Sequence, residues 1–78
     1  MTKAVYYALA SELAGIEART GLYLADENVD AENALDAGCK YDSDEFWSAM
    51  LYSAKSAAGA RAEEAGQDIN DLIGRVIY

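Results

Sequence analysis

Apolar residues recur at helical intervals through most of the chain. Near its start, Val5, Leu9, Leu13 and Ile16 follow one another at three- and four-residue steps, the spacing that gathers side chains on one face of an α-helix. Thr2 suits the N-cap and Gly21 the stop, so a first helix is predicted over residues 2–19. Residues 22–29 open with the apolar triplet Leu22, Tyr23 and Leu24 and then turn polar. They read as a connector that touches the core once, with a short strand near 22–25 as the alternative. Asp30 can cap a short second helix over 30–38, closed by Gly38.

The third helix has the strongest local support. Asp42 or Ser43 serves as its cap, Asp44 and Glu45 suit the positive end of its dipole, and good helix formers continue to Ala65 before Gly66, giving a helix over 43–65. Within it, Ala54, Ala57, Ala58 and Gly59 form a run of small side chains, where a second helix can cross at close range. A last helix is predicted over 68–78, from Asp68 and Asp71 in a weak capping box. Its Ile69, Leu72, Ile73, Val76 and Ile77 make one apolar stripe. The fold class is therefore all-α, a compact bundle of three to four helices in a single small domain over residues 1–78.

Composition limits how large that core is. A 78-residue chain buries only about 60% of its unfolded surface, and much of its apolar content is alanine. Self-association through the stripe of the last helix would add stability. One cysteine, Cys39, cannot close an intrachain disulfide, in keeping with a reducing compartment. No stretch approaches the ~20 apolar residues of a membrane span, and Glu12 and Glu17 interrupt the faintly signal-like residues near the start. Cytoplasmic residence is the expectation.

The charge narrows the choice of partner. A formal −8 repels nucleic acid and anionic membranes and favours basic proteins. It is also local: residues 26–45, DENVDAENALDAGCKYDSDE, hold eight of the fourteen acids against Lys40 alone.

Metal and catalytic chemistry fit this segment poorly. Asp26, Asn28 and Asp30 match the first, third and fifth positions of an EF-hand loop, but Ala31 replaces the turn glycine and Ala37 the bidentate glutamate. Histidine is absent and there is one cysteine, which disfavours zinc. Serine lacks a histidine base, no phosphate-binding glycine loop occurs, and the carboxylates lie in polar, alanine-rich surroundings that suggest solvent, where acid-base work needs one carboxyl group buried. No metal, cofactor or catalytic residue is expected.

Binding is the remaining use. Laid out as one helix, the twenty residues would span ~30 Å and carry a net −7, eight acids less Lys40, against roughly 9 charges on one DNA strand of that length. Asp26, Glu27, Asp30, Glu32, Asp36, Asp42, Asp44 and Glu45 are thus the candidate partner-binding acids. Tyr23, Tyr41 and Trp47 are the candidate aromatic contacts. Of the adjacent pairs Phe46/Trp47 and Tyr6/Tyr7, one member each is expected inward and one outward. In size, acidity and lack of a catalytic constellation the chain resembles the small inhibitors of phages and mobile elements, including anti-CRISPR proteins. That resemblance implies a non-enzymatic inhibitor that covers the nucleic-acid-binding surface of a basic partner. The alternative is a structural or adaptor protein that self-associates or docks through Ile69, Leu72, Ile73, Val76 and Ile77.

Overall fold

In the structure, a computed structural model that describes residues 2–73, the chain forms helices α1 (Thr2–Thr20), α2 (Glu27–Asp36), α3 (Asp44–Glu64) and α4 (Ile69–Ile73), with no strand among the described residues. This is the expected all-α bundle. At 1.5 Å per residue α3 is about 32 Å long, which sets the 34 Å long axis of the molecule. Helices α1, α2 and α4 all pack on α3, and α4 also touches α1. Helices α1 and α2 pack on α3 rather than on each other, and the gap between them is crossed by tyrosine side chains.

The core is one cluster built from every helix. Tyr6, Leu9, Leu13 and Ile16 of α1 meet Phe46, Trp47 and Met50 of α3, with Leu24, Ala34 and Ile69 joining from the connector, α2 and α4. Burial of each large apolar side chain contributes roughly 1.5–3 kcal/mol. The buried stripe of α1 thus begins at Tyr6 and not at Val5, which is 52% exposed. Tyr6 and Val5 are adjacent and both apolar enough to lead the stripe, so only the position of α3 separates them. On α3, Ala54, Ala58 and Ala62 are buried at four-residue spacing, and their small side chains let neighbouring backbones come close. Of the small residues expected at a helix crossing, Ala54 and Ala58 are covered, while Ala57 and Gly59 are only half-buried.

The caps explain the helix limits. Helix α2 begins three residues earlier than expected because Asp26, in extended backbone, accepts hydrogen bonds from the N–H groups of Asn28 and Val29. Asp30 is inside the helix. Ser43 caps α3 through the N–H of Phe46, so of the two candidates Asp42 is not the cap. Thr2 is already helical and not a flanking cap. Asp68 accepts from Asn70 N–H ahead of α4, as expected, and the remainder of the predicted last helix lies outside the described residues. Gly38 and Gly66 take positive φ angles of 88° and 77°, the left-handed conformation that ends a helix with little steric cost only for glycine. Each lets the following N–H turn back onto the helix, Cys39 to the Ala34 carbonyl and Gln67 to that of Ala62.

Residues 21–26 form an irregular connector instead of a strand. Side chains hold part of its backbone: Glu17 Oε2 accepts from Leu24 and Ala25 N–H at 2.7 and 3.1 Å, and Arg61 donates to the Leu24 carbonyl. With these partners in place no neighbouring strand is needed.

Candidate protein-binding surface

The eight acids of residues 26–45 separate by what their oxygens already hold. Asp30 is 1% exposed. One carboxyl oxygen accepts from the Tyr6 hydroxyl and the other from Ser53, both at 2.8 Å, and Ser53 accepts in turn from the Asn33 side-chain amide. Buried polar groups are retained when their hydrogen bonds are complete, and this carboxyl ties α1, α2 and α3 together. It is a fold element and not part of an acidic face, contrary to its placement among the partner-binding acids. Burial, reinforced by the bond to Asp30, pushes the Tyr6 hydroxyl far above its ordinary pKa.

Asp26 and Glu27 are also tied to tyrosines. Tyr7 donates to Glu27 at 2.7 Å, and Tyr23 donates to Asp26. The Tyr23 bond, followed by the Val29 N–H, holds the Asp26 carboxyl below the usual carboxylate range. A group lowered in the folded state contributes stability that is complete above its unfolded pKa, about 3.9, and is lost as pH falls through the folded value. The stability difference between wild type and Asp26→Asn should therefore be constant at neutral pH and narrow below about pH 4. Thermal midpoints by circular dichroism across pH 2–7 test this; a gap that does not change with pH would contradict the assignment.

Asp42 turns the chain into α3. It adopts a left-handed φ of 66°, which short polar residues tolerate best after glycine. Its Oδ1 accepts from the Trp47 indole N–H at 2.8 Å and lies 3.7 Å from Lys3 Nζ, which also sits over the Trp47 ring. Trp47 is 6% exposed and packs edge-on against Phe46. Both members of the Phe46/Trp47 pair are therefore inside, where one was expected outward, and Trp47 is not available as an exposed contact. Two neighbouring residues on α3 can both be buried because Tyr6 and Tyr7 of α1 pack against Trp47 and the Tyr41 ring meets Phe46 edge-on. The Tyr6/Tyr7 pair divides as expected, Tyr6 in and Tyr7 exposed.

Four acids remain: Glu32, Asp36, Asp44 and Glu45 are exposed and make no hydrogen bond or ion pair among the described residues. Glu32 and Asp36 stand one turn apart on α2, about 180° around the helix from buried Ala34. Asp44 and Glu45 occupy the first turn of α3. Tyr23 and Tyr41 are both exposed, and Tyr23 is covered on one face by the Arg61 guanidinium. Tyr52, at 72%, is the most exposed large apolar residue among the described residues and was not anticipated. Its position almost opposite Met50 around α3 was the available signal.

On the other candidate surface, Ile69 is buried in the core, and Leu72 and Ile73 are half-buried against it. The stripe's first turn thus serves the bundle itself, and Val76 and Ile77 lie outside the described residues. No cluster of metal-ligating side chains occurs among the described residues, and no helix there is long and apolar enough to cross a membrane. No protein-family model, curated protein or solved structure matches this chain.

Proposed function

We propose that this protein is a non-enzymatic binding protein that occupies the nucleic-acid-binding surface of a basic partner, as a small stoichiometric inhibitor of the phage or anti-CRISPR kind. The observation that carries this reading is the set Glu32, Asp36, Asp44 and Glu45, four exposed carboxylates that make no hydrogen bond or ion pair among the described residues, the last two in the first turn of α3. A track of eight acids is reduced to seven at the surface, since Asp30 is internal. Glu32 and Asp36 are spaced about 6 Å along α2, near every second charge of a DNA strand at about 3.4 Å per charge. Tyr41, exposed three residues ahead of Asp44, supplies apolar contact.

The test is capture from a nuclease-treated bacterial lysate on the immobilised protein, followed by elution with a single-stranded oligonucleotide. A nucleic-acid-binding protein that is retained at low salt, released by the oligonucleotide and lost at high salt is the expected result, because exposed charges are screened beyond about 10 Å at 0.1 M salt. Reversing Glu32, Asp36, Asp44 and Glu45 to lysine should weaken that complex about a hundredfold, from four exposed pairs of up to about 1 kcal/mol each. If the fourfold variant retains the same proteins with equal affinity, the reading fails. Retention that survives high salt instead favours the adaptor alternative, since apolar burial is not weakened by screening.

A further inference from the structure

Among the described residues, one stripe of α3 is left open by the rest of the bundle, and its surface is hollowed by two shallow depressions. Two depressions of about 520 and 730 Å³ meet at Ser56. The first lies between α2 and α3, with Ala49 on its floor and Tyr52 as its wall. The second continues past Gly59 and Ala60 to Glu63 and Asp68, at the turn into α4. From Ala49 to Glu63 the floor runs about 21 Å along α3, four helical turns at 1.5 Å per residue. Side chains on this floor are small, so the backbone of an incoming helix can approach closely.

Charge decides what such a helix would carry. Among the described residues no lysine or arginine lines either depression, and two carboxylates line the second. A second copy would bring its own −8 and the same acids to the contact, an unfavourable like-charge pairing. We infer that this groove docks an amphipathic helix of the partner, with small or apolar residues facing α3 and lysine or arginine reaching Glu63 and Asp68. This is helix-in-groove recognition, and it gives the partner an apolar contact that the acids of residues 32–45 do not provide. It rests on the reading of a basic partner, and adds a second surface to it.

A helical peptide of about fourteen residues, alanine and leucine on one face and lysine on the other, is the probe. Titrated into ¹⁵N-labelled protein, it should shift amide resonances most at Ala49, Ser56, Ala60 and Glu63. Tyr52→Ala and Ala60→Arg, both at exposed helical positions, should each weaken binding at least about tenfold, the scale of one interface contact of about 1.4 kcal/mol. The matched control Ala14→Arg, exposed on α1, should change it less than about twofold. The proposal is overturned if the peptide does not bind, or if Ala60→Arg binds like wild type. Shifts confined to Glu32, Asp36, Asp44 and Glu45 also overturn it, while leaving the acidic-surface reading standing. So does sedimentation equilibrium that finds a dimer dissociated by Ala60→Arg, which would assign the groove to a second copy.

Discussion

Trp47→Ala is expected to remove a large fraction of the protein's stability. Removing a buried tryptophan costs about 3–5 kcal/mol, and a 78-residue domain has roughly 4–12 kcal/mol in all. Trp47 is where several parts of the fold meet: its ring contacts Tyr6, Tyr7 and Phe46, its indole N–H holds Asp42 in the turn before α3, and Lys3 reaches it from α1. Trp47→Phe separates these contributions. It keeps most of the apolar area but loses the bond to Asp42, and should cost about 1–2 kcal/mol for a half-exposed polar contact plus reduced packing. Urea unfolding followed by circular dichroism measures both. A Trp47→Ala variant that keeps its helix content and stability while losing only partner binding would show that Trp47 belongs to an interface after all.

The second large effect is at Asp30. Replacement by alanine removes the acceptor of two buried hydroxyls, those of Tyr6 and Ser53, and each unsatisfied donor costs about 1–3 kcal/mol. Ser53 can partly recover by rotating its hydroxyl, so about 2–4 kcal/mol is expected. For a domain of this size the thermal midpoint should fall by more than about 10 °C. The same substitution at Asp36, which is exposed and makes no such bond, should fall within about 0.5 kcal/mol. A double-mutant cycle between Asp30→Ala and Tyr6→Phe should show strong non-additivity, because each removes the other's partner. Additive effects would mean that the 2.8 Å contact contributes little. If Asp30→Ala proves as mild as Asp36→Ala, Asp30 returns to the solvent-facing acids.

These two residues also show how far the chain's pattern can be read without coordinates. Helix content was legible because it rests on local rules: apolar spacing on α1 and α3, a threonine, serine or aspartate at each predicted start, and glycine where the backbone must turn left-handed. The locality of the charge was legible too, since it needs only counting. Asp26 and Asp30 were not separable by those rules. They stand four residues apart, both can cap a helix, and the choice falls to Tyr6 and Ser53, which lie 24 and 23 residues away. The same holds for Phe46 and Trp47, whose joint burial depends on α1 lying across one flank of α3.

What the amino-acid order by itself determined is therefore the all-α class, the punctuation by Gly21, Gly38 and Gly66, and an excess of negative charge between residues 26 and 45. Tertiary structure alone decided which acids are internal, which are bonded to tyrosine or tryptophan, and which four face outward with no hydrogen bond or ion pair among the described residues. The physical reason is that helix propensity, capping and net charge act over a few residues along the chain. Burial and hydrogen-bond pairing are settled only when distant helices meet.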